Sequence, residues 1–189
     1  MHLHNSVVKV FAKTSSQRVR WLKTPMNSGS YRHWLIDGGS LTRRLQRRCP
    51  AFAVQPLRLL DAKPQYDEAV LLGLSGHQKS LLREVQLYCG NQPVVFAHSV
   101  LPHKVLRGSW QRLGRLGNKP LGGALFADPR VTRTPLEFKK LSNHHTLYRR
   151  AVVHLERPPA VLWARRSVFF LHCSAILVTE VFLPQVLVT

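Results

Sequence analysis

Ile176-Leu177-Val178-Thr179-Glu180-Val181-Phe182-Leu183 is an apolar, β-branched run with a single acid inside it. In a strand, side chains alternate between faces, so Ile176, Val178, Glu180 and Phe182 share one face. A carboxylate among large apolar groups is costly to bury unless something pairs with it. The chain has only nine acids in 189 residues, against 28 Lys and Arg, so Glu180 is not surface filler by default.

Upstream of this run, Leu162 to His172 reads as a strand, and Cys173-Ser174-Ala175 turns it back to make a closing hairpin. A second hairpin is clearer still. Leu81 to Tyr88 alternates with the two-residue period, Cys89-Gly90-Asn91-Gln92 turns, and Pro93 to Leu101 returns. Arg83, Val85 and Leu87 share one face of it, Glu84 and Gln86 the other. The polar pair is expected to mark the solvent side, which sends Arg83 toward the core. Two opposite charges are therefore expected on inward faces, Arg83 and Glu180. Either they meet as a buried structural ion pair, or they stand at two sides of a cavity. Such a cavity suits an anionic ligand that also carries a hydroxyl or ether.

Elsewhere, Ser40 is a good N-cap for a helix running from Leu41 to about Arg48, with Leu41 and Leu45 as its apolar stripe and Cys49-Pro50 as its stop. A helix N-terminus presents unpaired N–H groups to an anion. The turn at Leu121-Gly122 offers another, since glycine lets backbone approach closely; ordinary capping and turning also accounts for both features. Phe52 to Leu60 reads as a strand whose Pro56 places it at an edge or a bulge. Residues 61–76 are loop-like, with an apolar patch from Val70 to Leu74 that fits a strand or one helical turn. A short helix is expected near Ser109 to Leu113, and strands at Val131 to Lys140 (interrupted by Pro135) and Thr146 to Glu156. A further short strand fits Val7 to Phe11. The sum is an α+β fold, one domain with a six-stranded antiparallel sheet and short helices.

Composition narrows the function classes. The formal charge of +19 favours anionic partners and says nothing about fold. No block of five like charges occurs, so there is no basic tail of the usual kind. Cys49, Cys89 and Cys173 are odd in number, far apart and free of any Cys-x-x-Cys spacing. This points to a reducing compartment and away from a disulfide framework or a zinc ribbon. No His-Glu-x-x-His occurs, and His144-His145 or His98 with His103 lack metal spacing. No apolar run approaches a membrane span or a signal-peptide core, so a cytoplasmic protein without a membrane span is expected.

Five pieces occur in order: Ser40-Leu41-Thr42-Arg43-Arg44, Arg83-Glu84-Val85 to Pro93, Leu116-Gly117-Asn118-Lys119-Pro120-Leu121-Gly122, Leu162-Trp163-Ala164-Arg165-Arg166-Ser167, and Leu177-Val178-Thr179-Glu180-Val181-Phe182-Leu183-Pro184. The set resembles the chorismate pyruvate-lyase family, the bacterial 4-hydroxybenzoate synthases, from about Trp34 to Pro184. The Trp-x-Arg-Arg-Ser and Thr-Glu-x-Phe-Leu-Pro pieces are its most specific parts. The resemblance implies a six-stranded sheet with helices enclosing a ligand cavity under flap-like segments. It implies an enzyme that removes pyruvate from chorismate and leaves 4-hydroxybenzoate, early in ubiquinone synthesis, with no metal or cofactor. The family's ligand-binding arginine falls on Arg83 and its carboxylate on Glu180; its backbone contacts fall on Leu41 and Leu121. The best-known relative has Met at the position of Leu41, a change that a backbone N–H contact survives. The lyase-like domain is expected over residues 31–189, after a basic N-terminal extension over residues 1–30, and the protein is expected to act as a monomer.

Two rivals stand beside this reading. One is a noncatalytic small-molecule-binding domain of the same fold, like the effector domains of some bacterial transcription regulators. Those normally follow a winged-helix module, for which the first 36 residues are too short and too poor in helical periodicity. The other is a nucleic-acid-binding protein, suggested by charge alone, with no recognisable binding motif or interleaved aromatics. No nucleic-acid partner is therefore expected.

Overall fold

Two long hairpins dominate the computed structural model, which describes residues 20–115, 117 and 119–189. Strand β1 spans Phe52–Ala62, β2 Ser80–Cys89, β3 Gln92–Pro102, β4 Val131–Arg133, β5 Glu137–Ser142, β6 Val161–Leu171 and β7 Ser174–Phe182. They form one antiparallel sheet in the order β1-β2-β3-β7-β6-β4, with β5 also paired to β6. The helices are short: α1 Arg32–Leu35, α2 Leu41–Arg48, α3 Tyr66–Leu71, α4 His103–Leu106, α5 Leu121–Leu125 and α6 Thr146–Ala151.

Both expected hairpins are present. The β2–β3 turn uses Gly90 at φ 58°, where an L side chain is strained, and the β6–β7 turn puts His172 at φ 53°. Strand β1 lies at the sheet edge, and its register shifts between Pro56 and Arg58. Both devices expected of that proline are thus in use. Seven strands replace the expected six. Pro135 splits the stretch from Val131 into β4 and β5. The strand expected over Thr146 to Glu156 is instead α6. There Leu147, Tyr148 and Ala151 form a buried helical stripe, and the His145 ring accepts from the Leu147 N–H at 3.2 Å as an N-cap. The apolar patch at Val70 to Leu74 starts in the last turn of α3, which ends at Leu71, and runs on through its C-cap Leu72; the N-terminus of α3 is closed by a capping box between Gln65 and Glu68. The expected strand at Val7 to Phe11 lies outside the described residues.

Helices cover both faces of the sheet, so neither is a solvent face. On the first face, one apolar cluster gathers Trp34, Leu35, Leu45, Val85, Trp163 and Phe182. A second gathers Leu101, Trp110, Leu125, Phe169 and Ile176. On the other face Phe96, Leu147, Tyr148, Ala164 and Val181 pack with Trp21. This overturns the expectation that Glu84 and Gln86 look into solvent, because both are buried under that second layer.

The cysteine reading is also corrected. Cys49 and Cys89 form a disulfide with Cα atoms 5.3 Å apart, while Cys173 is exposed and free. Spacing of 40 residues hid the pair. Cys49 is the C-cap of α2 and Cys89 ends β2 opposite Phe52, so only the packing of that helix beside the hairpin brings them together.

Candidate active site

Between the two apolar clusters of the first face lies a cavity. All four expected site residues, Leu41, Arg83, Leu121 and Glu180, line it. The register explains why. Arg83 on β2 lies opposite Ser99 on β3, which lies opposite Val178 on β7; Glu180 is one same-face position further along β7. Arg83 and Glu180 are thus two strands apart, about 10 Å at the usual strand spacing.

They do not form the ion pair that parity alone allowed. Arg83 donates through Nη2 to the carbonyls of Gly117 and Lys119, both at 2.9 Å. Those bonds hold the chain segment that enters α5, and so place the Leu121 N–H. Arg83 is 6% exposed, and its burial pulls the guanidinium pKa below its usual value. No acid lies within ion-pair distance of it among the described residues.

Glu180 is paired by Arg165, directly across the β6–β7 ladder, whose Nε donates to Oε2 at 2.5 Å. Arg165 is almost fully buried, whereas Glu180 keeps 17% of its side chain open. The same guanidinium donates through Nη1 to the carbonyls of Trp34 at 2.9 Å and Asp37 at 2.6 Å. These carbonyls belong to the end of α1 and the loop after it, where helix geometry leaves acceptors unsatisfied. Arg165 thereby joins the carboxylate to the loop that leads into α2.

The N-termini of α2 and α5 meet at the cavity wall. The Ser40 hydroxyl caps α2 by accepting from the Arg43 N–H at 3.4 Å. Gly122 of α5 sits so close that a Cβ there would meet Thr42 Oγ1 at 2.9 Å. Glycine is required because two helix starts converge here, each presenting N–H groups with no partner inside its helix.

One site residue was not expected from the sequence. Arg133 on β4 reaches into the cavity, donating to Ser167 Oγ at 2.6 Å and to the Gly38 carbonyl at 3.0 Å. Its guanidinium lies over the rings of Phe169 and Phe126, 5.0 and 5.7 Å from their centroids. No sequence signal set it apart from the other basic residues.

The family model for chorismate lyase matches residues 15–188 of this chain. The chain belongs to the chorismate lyase family. Similar proteins include the probable chorismate pyruvate-lyase of Methylobacillus flagellatus, 54% identical over 170 residues that cover 90% of this chain and 96% of that one. Another is the probable chorismate pyruvate-lyase of Nitrosospira multiformis, 50% identical over 175 residues, covering 92% and 97%. Among solved structures, the effector domain of PhnF from Mycobacterium smegmatis matches with a TM-score of 0.54 at 14% identity, covering 78% of this chain and 90% of that one. A GntR-family transcriptional regulator from Bacillus cereus matches with a TM-score of 0.53 at 12% identity, covering 71% and 92%. The two structural matches speak for the fold alone.

The opposite face carries its own buried charges. His98 Nδ1 lies 2.9 Å from Glu84 Oε1 and its Nε2 lies 3.3 Å from Glu68 Oε1, while Arg150 also pairs with Glu84. Burial opposes charging of His98, but the two carboxylates win and push its pKa up to about 9. Nearby, Arg166 bridges Asp67 at 2.6 Å and Glu137 at 3.0 Å and stacks on Trp21. None of these groups lines the cavity.

Proposed function

We infer that this protein is a chorismate lyase, converting chorismate to 4-hydroxybenzoate and pyruvate, a reaction its family contributes to ubiquinone synthesis. The observation that carries the reading is a mostly apolar cavity in which Arg83, with no acid within ion-pair distance among the described residues, stands across from Glu180, a carboxylate held by Arg165 and still 17% exposed. Such a site matches a ligand with a carboxylate at one end and oxygen functions further along the ring.

The overall reaction breaks the ether bond to the ring and removes the hydrogen on the adjacent, hydroxyl-bearing ring carbon. A proton is gained by the side chain's methylene carbon, which becomes the methyl group of pyruvate, and the ring becomes aromatic. Aromatisation supplies the driving force, so positioning and electrostatics are what the protein must add. In our reading Arg83 and the N–H groups of Leu41 and Leu121 hold the ring carboxylate. Glu180, oriented by Arg165, stands at the ether and hydroxyl oxygens, where it fixes the reactive conformer or relays the proton. The net positive field steers the dianionic substrate inward.

The regulator-like fold supports the rival view of a ligand sensor only through shape, and shape does not carry function. The test is direct: pure protein and chorismate, with pyruvate read by a coupled dehydrogenase. Release of pyruvate with matching 4-hydroxybenzoate is expected; none above background sinks the reading. No helix among the described residues is long and apolar enough to cross a membrane. We further propose a cytoplasmic monomer that does not engage nucleic acid. In that compartment the Cys49–Cys89 pair is exposed to reduction, and a thiol count on freshly lysed cells reports its state.

A further inference from the structure

Resting on the lyase reading, we propose that Arg133 recognises the second carboxylate of chorismate, the one on the three-carbon side chain that leaves as pyruvate. Two arginines, Arg83 and Arg133, line the cavity, and a third, Arg165, lies buried behind Glu180. Arg165 is neutralised by Glu180 at 2.5 Å. Arg83 and Arg133 remain, and neither has an acid within ion-pair distance among the described residues. The substrate brings two carboxylates to these two guanidiniums, whereas 4-hydroxybenzoate brings one.

The order of groups agrees as well as their number. Across the sheet, Arg83 on β2, Glu180 on β7 and Arg133 on β4 follow one another with single strands between them. Along chorismate the ring carboxylate, the ether oxygen and the side-chain carboxylate follow one another in the same way. With the ring carboxylate on Arg83 and the ether at Glu180, the leaving carboxylate falls toward Arg133.

Arg133 is built for the task. The Ser167 hydroxyl and the Gly38 carbonyl fix its Nε and Nη1 at 2.6 and 3.0 Å, and the rings of Phe126 and Phe169 hold its plane. A guanidinium fixed in this way loses little freedom on binding a carboxylate. Burial pulls its pKa down and the charge of Glu180 pushes it back up; a bound carboxylate acts in the same direction as Glu180.

The test compares two ligands on the same variants. Chorismate affinity is measured in a Glu180→Gln background, which holds the substrate unreacted, and 4-hydroxybenzoate affinity alongside it, each with Arg133 intact, Arg133→Met and Arg133→Lys. Arg133→Met is expected to weaken chorismate about 100-fold while 4-hydroxybenzoate stays within about threefold, and Arg133→Lys to recover part of the loss. Retained 4-hydroxybenzoate binding also shows that the pocket is folded. Equal losses for both ligands, or no loss for either, overturn the assignment. If the unmutated protein releases no pyruvate yet its chorismate affinity depends on Arg133, the assignment stands and the lyase reading falls.

Discussion

Arg165 lies directly across the β6–β7 ladder from Glu180, with Nε 2.5 Å from Oε2, and its other end is bound to the carbonyls of Trp34 and Asp37. One buried guanidinium therefore sets the carboxylate and braces the loop before α2. Replacing it with Met leaves Glu180 unpaired and the carbonyls of Trp34, Leu35 and Asp37 without their donor. A loss of about 3–5 kcal/mol is expected. In the double variant Arg165→Met with Glu180→Gln, about 1–3 kcal/mol of that loss should return. Urea melts of the full double-mutant cycle measure both numbers; strictly additive losses would refute the coupling.

Glu180→Gln alone keeps the size and a hydrogen bond to Arg165 but removes the charge. The fold should survive while kcat for chorismate drops by about 100- to 10,000-fold. Steady-state pyruvate release checks this, and near-normal turnover removes Glu180 from the chemistry.

Arg83→Ala removes the cation facing the ring carboxylate and releases the carbonyls of Gly117 and Lys119. Affinity for 4-hydroxybenzoate should fall about 10- to 100-fold, as for loss of a charged hydrogen bond. Calorimetric titration reads it, and unchanged affinity places the carboxylate elsewhere.

Gly122→Ala puts a methyl group 2.9 Å from Thr42 Oγ1. Separating α5 from α2 should cost about 1–3 kcal/mol and weaken ligand binding, since both helix starts face the cavity. Adding Thr42→Ala removes the obstructing oxygen and should restore stability and affinity together. Failure to restore either shows that the close approach is not the cause.

Stability should peak near pH 6.5. His98 has its folded pKa raised to about 9, so the stabilisation from its charged form is complete below its ordinary value of 6.5 and is lost as pH rises through 9. His145 has its pKa lowered to about 4, by burial first and then by Lys139. Its neutral form contributes fully above 6.5, and that contribution is lost as pH falls toward 4. Glu84, Asp67 and Glu137, all held below the usual carboxylate range against the pull of burial, add to the acid limb only. Each histidine limb spans about 3 kcal/mol. Chemical denaturation from pH 4 to pH 9.5 tests this, and in His98→Gln the alkaline limb should flatten. A curve that keeps rising to pH 9 contradicts the assignment of His98.

Much of the site was legible because side-chain parity along a strand is a local property. Alternation around Arg83 and around Glu180 sent both inward, and the Ser40 cap and the Leu121-Gly122 turn marked two helix starts without any knowledge of neighbours. Parity does not carry across a hairpin of unknown register, so alternation alone offered Arg83 as the partner of Glu180 and gave no sign that Arg165 stands opposite it. The misread of Thr146 to Glu156 has a similar origin: Leu147, Val152, Val153 and Leu155 fit a strand in isolation, while the α6 stripe of Leu147, Tyr148 and Ala151 gains its value only from packing on the sheet.

The sequence by itself determined the two hairpins, the capped helix, the inward aim of Arg83 and Glu180 and the family. Each rests on periodicity, turn chemistry or motif order within a short stretch of chain. Only the tertiary structure decided that Glu180 pairs with Arg165, that Glu84 is buried beside His98, that Cys49 meets Cys89, and that Arg133 enters the cavity. Those facts depend on ladder register and on helices contributed by distant segments, and no local pattern records which segments will come to lie against one another.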